Sequence, residues 1–374
     1  MFDFGSNGIK IFLRKKIFFF KKGISNASRI FQYNLIYFII LKMNDQIGIG
    51  EFNPLLEKTI KTNKFINELK NICDKIVLIK KMEICYYKKY ISYSSIIFGL
   101  EQVFFSLKKN FPILFYSSFY TGKYGIPING LIWNNSYLDY SKKETIKKLI
   151  NTVKYKVSKG FSYIKMKFNF HFFEYQYSML KVIKSKYPFL KIRIDANGSF
   201  SIKKKKDILY YYIDKLYELD IIDSIEQPIL SYNNDWSYIS EICLKSKLPI
   251  FLDEDLVYVN GIKEKIKFLD TIMPQHIIIK PSINGGFSGS EEWILLANKK
   301  NIKWSISSSL ESNIGINAIS QWIFIMNKKY KNNEKHGLDT INVYTNNFKS
   351  PIEIKKSFIW YNPIIKWNVG KNLF

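Results

Sequence analysis

Five charged side chains fall at the ends of five short apolar runs, and their order along the chain suits proton transfer. They are Lys167, Asp195, Glu226, Asp253 and Lys280. Three converging carboxylates repel one another without a counter-ion, and an all-oxygen set of this kind suits Mg²⁺, with Mn²⁺ as the alternative metal. A lysine on each side of such a cation is placed for proton transfer, because burial and the metal lower the pKa of an amine toward the range of a general base. These residues therefore predict acid–base chemistry at a metal site.

Three further polar residues accompany these five at a spacing of two. Lys165 precedes Lys167, and Arg193 and Asn197 lie on either side of Asp195. Residues two apart on a strand share one face of the sheet, so each should point the same way as its neighbour. We predict that Lys165 joins the catalytic lysines, that Arg193 binds substrate or orders the site, and that Asn197 supports it.

Taken singly, these residues also have structural interpretations. Asp253 alone could cap the helix that follows it, and Lys165 and Lys167 alone could be solvated lysines on an edge strand. The five charged positions taken together favour a functional site.

The apolar runs recur roughly every 25 to 35 residues, which is the length of one strand, one helix and two loops. They lie at Ile126–Leu131, Tyr163–Phe168, Lys191–Ile194, Asp223–Glu226, Ile250–Asp253, His276–Lys280 and Lys303–Ser307. Segments with helical periodicity separate them. This alternation predicts parallel strands, and so many units favour a closed α/β barrel whose active site lies at the carboxyl ends of the strands.

The first third of the chain has a different pattern. We predict an α+β capping domain over residues 1–122, the barrel over 123–345, and a C-terminal segment over 346–374 that packs back on the cap. The elements predicted for the cap are antiparallel strands at Ile9–Phe20 and Asn34–Lys42, a strand around 48–51, and helices at Asn53–Ile79 and Tyr93–Leu107. The tail should contain strands between Ile352 and Trp360.

The composition limits the alternatives. The formal charge is +26, but only three of the 57 basic residues are arginines, whereas nucleic-acid readers rely on the bidentate arginine fork. The lysines are spread over the whole chain among residues with A/T-rich codons, so we expect no nucleic-acid partner. Three cysteines without a CxxC pair predict neither disulfides nor a thiolate metal site, and no apolar run is long enough to span a membrane. We expect a cytoplasmic protein with no membrane partner.

The order Lys, Asp, Glu, Asp, Lys resembles the enolase superfamily, in its muconate-lactonizing-like branch with a Lys-x-Lys motif on the second barrel strand and a lysine on the sixth. Longer strings are similar to the o-succinylbenzoate synthase family within it. Those strings are 48–51, 98–101, 126–133, 280–282, 288–293, 307–315 and 337–340.

This resemblance implies an enolase-type (β/α)7β barrel with an N-terminal α+β cap completed by the C-terminal tail, and a mobile specificity loop at Ser28 and Arg29. It implies Mg²⁺-dependent dehydration of 2-succinyl-6-hydroxy-2,4-cyclohexadiene-1-carboxylate, a small carboxylate, to 2-succinylbenzoate in menaquinone biosynthesis. Lys167 would remove the proton beside the carboxylate, and Lys280 would stay cationic across the ring. Ser307 and Gly337 would hold the succinyl tail.

Two alternatives remain open at the level of sequence. The same opposed lysines could racemise an N-acylamino acid or epimerise a dipeptide, although 337–340 lacks the Asp-x-Asp motif usual in dipeptide epimerases. Outside enzymes, the chain could be a lysine-rich protein that binds polyanions.

Overall fold

The computed structural model describes residues 2–6, 8–25, 30–56, 61–133, 142–200, 206–231 and 235–370. The predicted specificity loop at Ser28 and Arg29 lies outside these ranges. None of the helices in the described ranges combines the length and the hydropathy that a membrane-spanning helix requires.

The N-terminal region is an antiparallel sheet with two helices. The strands β1 Phe2–Ser6, β2 Ile9–Ser25, β3 Ile30–Met43 and β4 Gln46–Phe52 pair in sequence order, and the helices are α1 Thr62–Ile79 and α2 Ser94–Lys109. Alternate residues of β3 face opposite ways: Ile39 packs with the helices, and Phe38 packs with Tyr344 and Phe348 from beyond the barrel strands. Because both faces are buried, β3 is an almost continuous apolar run.

The second region is a curled parallel sheet surrounded by helices. Its strands β6 Gly130–Ile132, β7 Tyr163–Lys167, β8 Lys191–Asp195, β9 Ile222–Glu226, β10 Ile250–Leu252, β11 His276–Ile279 and β12 Lys303–Ile306 pair in sequence order. Its helices are α3 Lys142–Ser158, α4 Phe173–Lys186, α5 Lys206–Tyr217, α6 Ser237–Lys245, α7 Ile262–Ile272, α8 Gly286–Lys299 and α9 Asn313–Tyr330. The segment at His336 and Gly337 bridges the two edges, pairing with Ile128 and with Ser307.

Two elements differ from the sequence prediction. The run at Ile126–Leu131 is divided: β5 Ile126–Pro127 pairs with the C-terminal tail, and only Gly130–Ile132 joins the barrel. Ile128 donates its N–H to the carbonyl of Ser357 and Pro127 accepts from His336, so this stretch divides its backbone hydrogen bonds between the C-terminal tail and the segment that joins the barrel edges. The helix predicted from Asn53 begins instead at Thr62. Asn53 itself donates its side-chain amide to the carbonyls of Ser309 and Leu310.

The C-terminal tail pairs with the segment that precedes the first barrel strand. Its strands β13 Ile352–Lys355 and β14 Phe358–Tyr361 form a small antiparallel sheet with β5. The tail contacts the N-terminal region through side chains, with the rings of Trp367 and Phe111 5.3 Å apart.

Two buried carboxylates of the N-terminal region meet the N-termini of barrel helices. Glu51 on β4 accepts from the backbone N–H groups of Ser312 and Gly315, each at 2.9 Å, at the start of α9. Glu101 on α2 accepts from Phe287 and, at 3.1 Å, from Ser288 at the start of α8. Burial raises the pKa of Glu51 to about 8 and that of Glu101 to about 7, against the lowering effect of these hydrogen bonds. Free N–H groups at helix N-termini favour such acceptors, so the two contacts fix the cap on the barrel.

We expect Glu101→Ala to lower the free energy of unfolding by about 2 kcal/mol, because two buried N–H groups lose their acceptor. Urea denaturation followed by circular dichroism measures this. Glu218→Ala, at an exposed residue that pairs only loosely with Lys215, is the control and should shift stability by less than about 0.5 kcal/mol. Equal stability of the Glu101 variant and the control would show that this contact does not fix the cap.

Candidate active site

The structure places every predicted site residue at the same end of the parallel sheet. Most of them end their strand or directly follow it, and Lys165 and Arg193 lie two residues before a strand end. They are Lys165 and Lys167 on β7, Arg193 and Asp195 on β8 with Asn197 just after it, Glu226 on β9, Asp253 after β10, Lys280 after β11, Ser307 after β12, and Gly337 beside Ser307.

These residues occupy two levels. A cavity of about 460 Å³ opens above the strand ends, and its wall includes Lys165, Lys167, Asn197, Asp253, Lys280, Ser307 and Gly337. Asp195, Glu226 and Arg193 do not line this cavity. They lie beneath its floor, with at most 2% of each residue exposed.

Ammonium groups of the cavity wall form ion pairs with the carboxylates of the wall and with those buried beneath it. The Lys165 Nζ lies 2.6 Å from Asp195 Oδ2 and 2.5 Å from Glu226 Oε1. The Lys167 Nζ lies 2.6 Å from the same oxygen of Asp195, and Lys280 forms an ion pair with Asp253. Every predicted metal ligand therefore has a lysine partner, and Lys165 joins two of them.

The paired charges move the pKa values in opposite directions. Burial alone would raise the pKa of Asp195, but Lys165 and Lys167 outweigh it and hold that pKa well below its usual range. Burial, followed by the charges of Asp195 and Asp253, raises the pKa of Glu226. Burial likewise raises the pKa of Asp253, so two of the three carboxylates are harder to ionise here than in water.

The lysines respond to the same field. Burial alone would lower the pKa values of Lys165 and Lys280. For Lys165 the charges of Asp195 and Glu226 reverse this effect, and for Lys280 that of Asp253 leads, so both pKa values are raised. The neighbouring carboxylates therefore favour the protonated form of both Lys165 and Lys280.

Arg193 does not line the cavity, although substrate binding is one of its two predicted roles. Its Nε lies 3.1 Å from Glu226 Oε2, and its guanidinium donates to the side chain of Asn129 at 3.1 Å. It is buried below the cavity, because its position one layer deeper in β8 points it at Glu226. The contact with Glu226 suits the second role predicted for Arg193, ordering the site, and that role stays a prediction.

The carboxylate cluster fits a hard cation in its chemistry. Its donors are all oxygens, as Mg²⁺ prefers, and Glu226 Oε2 accepts no hydrogen bond from any residue in the described ranges, with Arg193 Nε as its charged neighbour. Within those same ranges no three His, Cys, Asp or Glu side chains are already grouped as a metal site. A cation at this position would therefore take the carboxylates over from their lysine partners.

The N-terminal region supplies an apolar roof to the cavity. Ile24, Phe31, Leu55 and Leu56 line it from above the strand ends. Trp133 lines it from the barrel side, and the Lys167 Nζ lies 5.4 Å from the centre of the Trp133 ring. These side chains give the cavity an apolar wall opposite the strand ends.

Several residues of the site were not predicted from the sequence. Glu254 lines the cavity and accepts from the Asn197 side-chain amide at 2.7 Å, while Asn197 accepts from Lys167, also at 2.7 Å. Gln227 accepts from the backbone N–H of Asp253 at 2.9 Å and so positions the end of β10. Glu254 directly follows Asp253, and this adjacency is the signal that could have identified it.

The family of the chain follows from a comparison with protein-family models. Residues 148–362, more than half of the chain, match the model described as enolase C-terminal domain-like. The chain belongs to this family, and the predicted enolase-type fold class is confirmed.

Two curated relatives give the particular similarity. The o-succinylbenzoate synthase of Desulfotalea psychrophila is 35% identical over 64% of this chain and 60% of its own length. That of Haemophilus influenzae is 27% identical over 42% of this chain and 43% of its own. The alignments thus span less than two thirds of these relatives. They confirm the family resemblance that the longer sequence strings indicate.

Solved structures agree over nearly the whole chain. The crystal structure of MenC from Desulfotalea psychrophila superposes with a TM-score of 0.74 at 26% identity, over 95% of this chain and all of that one. A dipeptide epimerase from Enterococcus faecalis, solved with Mg and a dipeptide, gives 0.72 at 15% identity over 94% of this chain and 96% of its own. At that identity the second match shows the fold alone.

We expect Arg193→Met to lower the free energy of unfolding by about 3 kcal/mol, because a buried carboxylate, that of Glu226, loses one of its two cations. Adding Glu226→Gln should restore most of the loss. Lys191→Met, at the exposed start of the same strand, is the control. Urea denaturation of the four proteins tests this, and a double variant as unstable as Arg193→Met would contradict charge compensation.

Proposed function

We propose that this protein dehydrates 2-succinyl-6-hydroxy-2,4-cyclohexadiene-1-carboxylate to 2-succinylbenzoate, the step in menaquinone biosynthesis that the resemblance implies. The observation that carries the proposal is the placement of Lys167 and Lys280 in one cavity, on strand ends four strands apart, above buried carboxylates. The similarity to o-succinylbenzoate synthases from two organisms supports the choice of reaction.

We assign Mg²⁺ as the cofactor, with Mn²⁺ as an alternative, and Asp195, Glu226 and Asp253 as its ligands. When bound, the cation supplies positive charge that stabilises the negative charge developing on the substrate carboxylate. The donors present in the cluster suit such a hard cation. The Mg reported with the Enterococcus faecalis dipeptide epimerase is consistent with this assignment.

Lys167 carries the proton in the proposed reaction. To act as a base it leaves its ion pair with Asp195 and loses its proton. As a neutral amine it then takes the proton from the ring carbon that bears the carboxylate. The ammonium that results gives this proton to the hydroxyl leaving the adjacent carbon on the same face, so that water departs and the ring becomes aromatic. Asn197 fixes the Lys167 Nζ at 2.7 Å, and Glu254 in turn orients the Asn197 amide.

The other residues bind and orient. Lys280 remains an ammonium, consistent with its ion pair to Asp253, and favours negative charge in the ring by its own charge. Lys165 compensates the carboxylates beneath the substrate, and Arg193 holds Glu226 in place. Ser307 and Gly337, on the cavity wall, contact the succinyl tail.

Racemisation of an N-acylamino acid, or epimerisation of a dipeptide, is the second candidate, because two lysines in one cavity can also exchange a proton between opposite faces of a substrate. The two reactions differ in what they require of Lys280. In a syn dehydration it needs only its positive charge, whereas in a racemase it must also take up and release a proton.

We expect Lys167→Ala to reduce dehydration at least about a thousandfold, because it removes the only base in this mechanism. Lys280→Arg should keep measurable activity, since arginine preserves the charge but cannot act as a base at neutral pH. The rate is followed by absorbance of the aromatic product, with and without EDTA. Chelation should abolish the rate, and added Mg²⁺ should restore it.

Lys303→Ala is the matched control, since this lysine lies exposed at the opposite end of β12, and it should leave the rate unchanged. N-acylamino acids and dipeptides are assayed in D₂O in parallel. If the wild-type protein inverts those substrates and forms no aromatic product, the assignment changes from dehydration to racemisation.

A further inference from the structure

A carboxylate stands in the cavity wall away from the strand-end cluster. Asp339, two residues beyond Gly337, lines the site cavity and also a second cavity of about 890 Å³ behind it. Its side chain is 10% exposed. The proposed substrate carries two carboxylates, so an uncompensated charge at this position would repel it.

Lys156 compensates this charge from behind the wall. It lies on α3, lines the second cavity and not the first, and forms an ion pair with Asp339 Oδ2. The same oxygen accepts the backbone N–H of Leu131 at 2.7 Å. The Lys156 side chain is 15% exposed, and its Nζ lies 5.4 Å from the ring centre of Phe161. A partly buried pair of this kind is screened less by salt than a surface pair.

We propose that Lys156 is a specificity-determining residue: by neutralising Asp339 from behind the cavity wall, it adapts the site to dicarboxylate ligands and denies a ligand ammonium group a partner. This inference rests on the proposed function. It adds to that function a residue that touches neither the substrate nor the carboxylate cluster, and which acts only through the charge balance of the wall.

The ion pair between Lys156 and Asp339 predicts a different change in the Kd of 2-succinylbenzoate for each of three variants. Lys156→Met keeps the aliphatic stem and exposes the charge of Asp339, so the Kd of 2-succinylbenzoate should rise about tenfold. Asp339→Asn keeps an oxygen for the N–H of Leu131 and leaves Lys156 unpaired, so that Kd should fall. The double variant should return to within about twofold of wild type, because the charges are removed together.

Isothermal titration calorimetry with two probes measures this: 2-succinylbenzoate and the zwitterionic dipeptide L-alanyl-L-alanine. In Lys156→Met, the ratio of the two dissociation constants should shift toward the dipeptide, and in the double variant it should return. Lys245→Met is the control, since it removes one lysine from an exposed pair on α6 without affecting the wall. In turnover, Lys156→Met should raise KM and leave kcat within about twofold.

The outcomes separate this inference from the proposed function. If wild type binds 2-succinylbenzoate and neither single variant changes its Kd, Lys156 has no role in specificity. A double variant as weak as Lys156→Met also overturns that role, because the loss then comes from packing. Should Lys156→Met fail to fold, the tighter binding expected of Asp339→Asn still decides the matter. Wild type that binds the dipeptide and not the dicarboxylate contradicts the proposed function and this inference together.

Discussion

The site depends on one physical constraint: carboxylates buried at the ends of adjacent parallel strands must be compensated by positive charge. Asp195 and Glu226 are inaccessible to solvent, and an isolated ionised carboxylate in such a place is very costly. Lys165 lies between them, and Arg193 holds the far oxygen of Glu226. Lys165 and Arg193 therefore make it possible to bury Asp195 and Glu226 at the strand ends.

The N-terminal cap also contains buried carboxylates that need partners. Glu51 and Glu101 are buried, and their carboxylates accept hydrogen bonds from the N–H groups at the starts of two barrel helices. The contact of Glu51 with Ser312 and that of Asn53 with the carbonyls of Ser309 and Leu310 fix the segment after β12, which forms one wall of the cavity. The geometry of the cavity is thus coupled to the docking of the cap.

The sequence was sufficient for features set by local pattern. Strand periodicity predicted the barrel strands, and charged residues at their ends identified the side chains that meet there. It could not separate the two levels of the site, since Asp195 and Asp253 both end an apolar run but only Asp253 reaches the cavity. Contacts between distant elements were equally hidden: nothing near Asp339 in the chain indicates Lys156 as its partner.

The most direct measurement is the affinity for Mg²⁺ of wild type and of Lys165→Met, determined by isothermal titration calorimetry in the absence of substrate. If the ammonium of Lys165 compensates the carboxylates that the cation takes over, then Lys165 and Mg²⁺ compete for Asp195 and Glu226. The variant should then bind Mg²⁺ about tenfold more tightly than wild type. An affinity that is unchanged or weaker would show that Lys165 does not hold the place of the metal, and would contradict this account of the site.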